Sequence, residues 1–333
     1  MTLSTFWFIV ITLLWTGFLV LEGFDFGVGM LAEVVGRGEG GRRAAIGTIG
    51  PVWDGNEVWL IVAGAGMFAA FPGWYATMFS SYYLAIVVLL VALILRGLSF
   101  EFRGKRDSAR WRRFWSLALF FGSLLVPLLV GIALANLLRG LPINGQQEFT
   151  GAVVDLLNGY SLLAGVTFVL ICLLHGAAFL MLKTGGDIRE RAVSVARRVG
   201  PVTAGAVTVL VIWTRVLSGK GFLPSVFEVA AILAVWAAVL LVAAGRDGWA
   251  FTTTTLAMGT VVLSLFADLY PRVMVSTLSA ANDLTVANTS SSSYALKVMT
   301  VITVFLLPVV LAYQAWSYYV FRHRLRAART ETG

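Results

Sequence analysis

Apolar runs long enough to cross a lipid bilayer recur along the whole of this 333-residue chain, and no other feature restricts its fold as severely. A hydrocarbon core about 30 Å thick needs around 20 residues of helix at 1.5 Å each. Residues 2–21 form the first run without Asp, Glu, Lys or Arg, and residues 58–95 form a double-length one divided at Phe71-Pro72-Gly73-Trp74, where proline and glycine punctuate the pattern. Six more lie at 114–138, 156–182, 199–214, 229–245, 248–267 and 298–321. With their flanks, the runs predict nine membrane helices at about 2–30, 52–71, 75–100, 112–138, 154–183, 197–217, 225–245, 248–270 and 296–321. Only helices and closed barrels satisfy every backbone group in hydrocarbon, and runs of this length without strict alternation exclude barrel strands. The expected fold class is all-α: a polytopic membrane helical bundle occupying residues 1–333 as a single integral membrane domain. Charged residues make up 13% of the chain against about 25% in soluble domains, too few to cover a water-facing surface. Cys172 is the only cysteine, so no disulfide staples the fold.

The basic residues sit between the runs and favour alternate connections. Nineteen fall on one side, among them Arg37, Arg42 and Arg43, the group at 103–113, the group at 183–198, Arg246, and the tail residues Arg322, Arg324, Arg326 and Arg329. Five fall on the other: Arg139, Arg215, Lys220, Arg272 and Lys297. Because Lys and Arg gather on the cytoplasmic side, the amino terminus is expected outside and the carboxyl terminus in the cytoplasm. The net charge of +8 then needs no nucleic acid; anionic lipid headgroups are its natural counterpart. No Lys or Arg precedes the first run and no small-residue cleavage site follows it, so it reads as a retained helix and not a signal peptide. Residues 275–293, which end in four serines, are the longest polar connection and are expected to cap the outer helix ends.

Ionisable groups carried toward hydrocarbon cost several kcal/mol unless paired or hydrated, so the few that occur are the candidate site. Glu22 and Asp25 end the first span, Asp54 and Glu57 open the second from the same side, and Arg96 closes the third. Each acidic pair is spaced i, i+3, which puts both carboxyls on one helical face. Four acids and one arginine are thereby expected at one depth, about 33 Å along the first helix from Leu3 at 1.5 Å per residue. Two readings fit: a solvated cluster that anchors helix ends, or a proton entry in which partly desolvated carboxylates near a cation relay protons inward. Gly23, Gly27 and Gly29 flank Asp25 and allow a neighbouring backbone to approach closely. Asp155 and Asp268 fall near outer helix ends, where water is expected to reach them, and Arg215 or Glu228 is expected at an interface. Trp53, Trp59, Trp74, Trp111, Trp115 and Trp316 are expected in an aromatic belt.

Soluble-enzyme motifs are absent: no Gly-rich phosphate loop joins a strand and no paired Cys or His stands at metal spacing, so neither catalytic residues nor a metal site are expected. His175 is the only histidine inside a span, which denies this chain a bis-histidine haem at membrane depth and leaves Met, Glu or Cys as the alternative axial donors.

The stretches Gly23-Phe24-Asp25-Phe26-Gly27-Val28-Gly29-Met30-Leu31 and Gly50-Pro51-Val52-Trp53-Asp54-Gly55-Asn56-Glu57-Val58-Trp59-Leu60 closely resemble subunit II of the cytochrome bd quinol oxidases. The resemblance continues through Phe68-Ala69-Ala70-Phe71-Pro72, through Arg96 followed by Glu101-Phe102-Arg103, and through Ala135-Asn136-Leu137-Leu138-Arg139-Gly140-Leu141-Pro142. The outer segment at 271–293 departs from the family, with Val275, Ser276 and Thr277 where a proline before a serine pair is common. The resemblance implies a bacterial cytoplasmic-membrane heterodimer that oxidises quinol and reduces dioxygen to water. Its subunit I would carry two haems b and one haem d, with small accessory subunits as further candidate partners. This chain would ligate none of the haems and would not be active alone. On the family pattern Asp25, Asp54 and Arg96 would organise a cytoplasmic water path toward haem d, with Glu57 and Glu22 as helpers; separately from that pattern, an apolar route for dioxygen is expected near Trp59. The rival from another class is a proton-coupled membrane transporter, for which helix-end carboxylates and Gly and Pro breaks are equally natural. A purely scaffolding subunit is a third.

Overall fold

The computed structural model describes residues 2–221 and 223–324; Arg326 and Arg329 of the basic tail lie outside the described residues. In chain order the helices are α1 (Leu3–Val35), α2 (Gly38–Gly47), α3 (Trp53–Ala70), α4 (Pro72–Ser81), α5 (Tyr83–Phe102), α6 (Ala109–Arg139), α7 (Gly159–Lys183), α8 (Gly186–Ser218), α9 (Val226–Ala243), α10 (Asp247–Leu269), α11 (Val286–Thr289) and α12 (Ser293–Val320). Among the described residues eight helices are long and apolar enough to cross a membrane: α1, α5 to α10, and α12. The fold is a polytopic helical bundle. Helix α3 has 18 residues and packs along α1, but with Asp54, Asn56 and Glu57 near its start it is not among those eight.

Hydroxyl and amide caps start several helices by occupying otherwise unpaired N–H groups. Thr2 Oγ1 accepts from Thr5 N at 3.1 Å, and Asn158 Oδ1 accepts from Ser161 N at 3.0 Å. The double-length run breaks at Phe71, with Pro72 in the first turn of α4, where a missing N–H costs nothing. It breaks again at Tyr82, inside a stretch the apolar pattern reads as one helix. Burial of the Tyr82 ring explains the position, since its hydroxyl donates to Ala133 O on α6 at 3.1 Å.

Helix α1 runs through the middle of the bundle against α3, α6, α7 and α10, and its residues from Glu22 to Ala32 are all buried. Its crossing with α7 is set by two glycines. A Cβ at Gly27 would lie 1.9 Å from Cys172 O, and one at Gly176 would lie 2.5 Å from Gly27 Cα, so the two backbones touch. Trp74 leaves the expected belt: it is fully buried, with Phe8, Phe71 and Phe266 around it. Helix α12 leans on α1 and α3 and exposes most of its large apolar side chains.

Over one end of the bundle the segment after α10 folds back as a short antiparallel pair, β1 (Arg272–Met274) with β2 (Leu284–Thr285). Val275 N donates to Leu137 O at 2.9 Å and Leu141 N to Val275 O at 3.0 Å, tying this cap to the end of α6. Ser291 Oγ reaches Ala69 O at 2.6 Å, so the same segment also covers the end of α3.

Candidate functional site

Glu22 and Asp25 stand one turn apart on α1, Glu57 on α3 and Arg96 on α5; α3 packs against α1, and α5 reaches the same place by packing on α6, itself against α1. Glu22, Asp25 and Arg96 have no accessible surface. Arg96 Nη1 lies 2.5 Å from Glu22 Oε1 and 3.1 Å from Glu57 Oε2. The guanidinium also lies over the Phe26 ring at 4.8 Å and the Phe100 ring at 5.4 Å, two quadrupoles that favour a desolvated cation. Trp53 stacks on Phe100 at 4.5 Å and closes that side.

Asp25 is held by a residue that sequence reasoning did not single out. Asn56 Nδ2 donates to Asp25 Oδ2 at 2.7 Å and to Leu21 O at 3.2 Å. Its Oδ1 accepts from Gln314 Nε2 at 3.0 Å and from Tyr318 OH at 2.8 Å. Asn56 thus joins α1, α3 and α12. Its signal was its place between Asp54 and Glu57 in the quoted motif; Gln314 and Tyr318 showed only as polar groups in the last apolar run.

Exposure falls in steps along this set. Asp54 is exposed and stays outside the buried group, without a hydrogen bond or ion pair among the described residues. The Glu57 side chain is 24% exposed, and those of Glu22 and Arg96 are at 0%. Glu22 Oε2, Asp25 Oδ1, and Arg96 Nε and Nη2 have no hydrogen-bond partner among the described residues. That is unusual for buried polar atoms. Trp59 is half-buried against Gly17 of α1, where a Cβ would lie 3.1 Å from its Cε3.

At the opposite end Asp268 corrects an expectation: it is 1% exposed, not water-accessible, and Arg215 Nη1 reaches its Oδ1 at 3.1 Å. Near the start of α2, Arg103 grips Glu39 through Nη1 and Nη2 at 2.7 and 2.9 Å and donates from Nε to Ser116 Oγ at 2.9 Å. These hydrogen bonds hold the Glu39 carboxyl below the usual glutamate range.

The family model described as cytochrome bd terminal oxidase subunit II matches residues 3–321. The chain belongs to that family. It is 44% identical over 328 residues to the cytochrome bd ubiquinol oxidase subunit 2 of Bacillus subtilis, covering 97% of each chain. It is 33% identical over 350 aligned positions to the cytochrome bd-I ubiquinol oxidase subunit 2 of Escherichia coli K12, covering 94% of this chain and 92% of that one. The fold is similar to a chain of the bd oxidase structure from Geobacillus thermodenitrificans, with a TM-score of 0.71 at 18% identity, covering 96% of this chain and 99% of that one. The protein is therefore a multi-pass component of the bacterial cytoplasmic membrane and part of a respiratory oxidoreductase complex with a partner subunit I.

Oxidases of this family use haem, and the one histidine buried in this bundle does not fit as an axial ligand. His175 Nδ1 lies 2.8 Å from Thr254 Oγ1 and Nε2 lies 3.3 Å from Val20 O. Phe251 stacks on its ring at 4.8 Å and Phe24 meets it edge-on at 5.7 Å. With both nitrogens engaged and the ring packed, His175 has no free nitrogen to offer iron. Among the described residues no group of three His, Cys, Asp or Glu could hold a metal ion.

Proposed function

We propose that this chain is the haem-poor subunit II of a bd-type oxidase that couples quinol oxidation to reduction of dioxygen to water, inactive without its partner, and that Glu22, Asp25 and Glu57 hold and pass the protons the reduction consumes beside the fixed charge of Arg96. One observation carries the reading: a single guanidinium pairs with two carboxyls, Glu22 and Glu57, and a third, Asp25, is buried one turn from Glu22 on the same helix. Such a cluster is neutral only with two protons bound, and net charge at membrane depth costs several kcal/mol. Asp54, exposed one turn before Glu57, is the collecting group. Glu57 passes protons to the Arg96–Glu22 pair and Asp25 receives them.

In this reading the amino terminus faces outside, α3 is the ninth span and the cluster opens to the cytoplasm, as the distribution of basic residues supports. Two haems b and one haem d belong to subunit I, alongside any small accessory subunits. Quinol releases its protons outside while dioxygen reduction takes protons from inside. Charge is separated without a pump, and each charge moved against 100 mV stores about 2.3 kcal/mol. An apolar cavity of about 360 Å³ borders Leu60 and Gly64 on α3; next to it, Trp59 marks the side from which dioxygen, itself apolar, would enter.

The test is to replace Asp54 by Asn and Glu57 by Gln, separately, and to measure quinol oxidase turnover in complexes with full haem content. Proton delivery predicts a fall of about tenfold or more, the lower reach of what a positioned proton-transfer group contributes. Unchanged turnover in haem-replete complex rejects it, and loss of haem assigns these residues to assembly instead.

A further inference from the structure

The second buried acid pair lies at the other end of the bundle, where α8 turns into α9, and the function above does not use it. Glu228 is 1% exposed and is the third residue of α9. Its Oε2 accepts from Ser225 N and its own N–H donates to Ser225 Oγ at 3.3 Å, a capping box. Its Oε1 has no hydrogen-bond partner among the described residues, and neither does Oδ2 of the neighbouring Asp268.

The neighbouring cations are already engaged. Arg215 Nε donates to Gly221 O at 2.9 Å, Nη2 to Lys220 O at 2.9 Å and to Leu223 O, and Nη1 to Asp268 Oδ1. Lys220 Nζ donates to Ala267 O at 2.7 Å and Tyr270 O at 2.8 Å. What remains, among the described residues, is acceptors without a donor.

Glu228 lines a cavity of about 630 Å³ between α8 and α9, walled by Ile212, Val216, Val229, Ile232 and Leu233. Val216 and Leu233 are 70% and 65% exposed, so the cavity is a groove open along its length on the outer face of this chain. Its polar end sits at the helix turn, the depth of a headgroup, and its apolar end runs along the helices, the depth of an acyl chain. The volume falls within the range of small-molecule sites.

We propose that this groove binds an aminophospholipid, its primary ammonium donating to Glu228 Oε1 and its hydrocarbon chain lying along Val229, Ile232 and Leu233. The argument is complementarity. Arg215 and Lys220 already balance the two acids in charge, so what an ammonium adds is the N–H donors that Glu228 Oε1 and Asp268 Oδ2 lack, and a lipid tail matches the walls. A phosphatidylglycerol head brings hydroxyl donors but adds negative charge beside two acids. A choline head has the charge but no N–H to donate.

The test uses the chain purified with its oxidase partners in nanodiscs of phosphatidylethanolamine and phosphatidylglycerol, with retained lipid counted by native mass spectrometry. A photoactivatable ethanolamine lipid locates the contact. Wild type should retain ethanolamine lipid and crosslink within α8 and α9. Glu228→Gln keeps a side chain able to complete the capping box but loses the charge, and should lower retention about tenfold or more, the worth of one charge-assisted hydrogen bond. Val229→Phe fills the groove while leaving Glu228 in place and should lower it as well. Equal retention by Glu228→Gln, equal affinity for choline lipid, or crosslinks elsewhere would overturn the assignment. So would bound quinol mapped to this groove, or two acids bridged by a proton with no lipid attached.

Discussion

Arg96 Nη1 and Glu22 Oε1 are 2.5 Å apart, and neither side chain has any accessible surface. Desolvating such a pair costs much of what its attraction returns, so its presence is weak evidence of added stability; removing one partner is another matter, because it strands the other charge. Arg96→Leu should destabilise the folded chain by about 3–5 kcal/mol, read as a lowered Tm of the solubilised complex. Adding Glu22→Gln to Arg96→Leu should restore part of that loss. A double variant as unstable as the sum of the single ones would show that the two residues do not act as a pair.

Asn56 spends all its hydrogen-bonding capacity on groups from α1 and α12. Asn56→Leu leaves Asp25 Oδ2, Gln314 Nε2 and the Tyr318 hydroxyl without that partner, at about 1–3 kcal/mol for each buried group left unsatisfied. Since α12 otherwise leans only lightly on the bundle, faster amide exchange in α12 than in α7 is the expected signature. Equal exchange in both helices would mean that α12 is held by other contacts.

Gly27 and Gly176 allow α1 and α7 to meet backbone to backbone. Gly27→Ala places a methyl where Cys172 O now sits, so the helices must separate. Overpacking of this kind costs about 1–3 kcal/mol and occasionally more. The control is Gly205→Ala on α8, where nothing lies within 4 Å of the added carbon. The control should match or slightly exceed wild type in thermal stability, because Ala is the better helix former, while Gly27→Ala should fall well below it.

The hydrogen bonds from Arg103 lower the folded-state pKa of Glu39. A carboxyl depressed on folding adds stability that is fully present above its unfolded pKa, about 4.3 for glutamate, and is lost as pH falls through the folded value. Glu39→Gln should therefore be less stable than wild type at pH 7, with the two curves converging on acidification below about pH 4. Thermal melts of both proteins across that interval provide the check; parallel curves would separate the Glu39 charge from the docking of α2.

Not every expectation from the apolar runs survived contact between helices. Tyr82 interrupts a run that looks continuous because its ring is drawn into the core and its hydroxyl to α6. Asp268 sits near a helix end, where hydropathy alone admits water, yet a folded-back segment and the α8–α9 turn cover it. Asp54 and Glu57 share a helical face by spacing, but only Glu57 reaches Arg96. Spacing along one helix says which side chains point together and not how far each lies from the neighbouring helix.

Helical membrane architecture was already decided by the amino-acid order, because transfer of a residue from water to hydrocarbon is a local property that adds along the chain. The GFDFGVG and GPVWDGNEVW stretches likewise carried family membership within a few residues. Which charges meet was decided by tertiary structure alone. The rotation of α1 against α7 is set by the Gly27–Gly176 contact, and Asn56, Gln314 and Tyr318 come from segments more than 250 residues apart. Such contacts depend on how helices pack around one another, a quantity that no single segment contains.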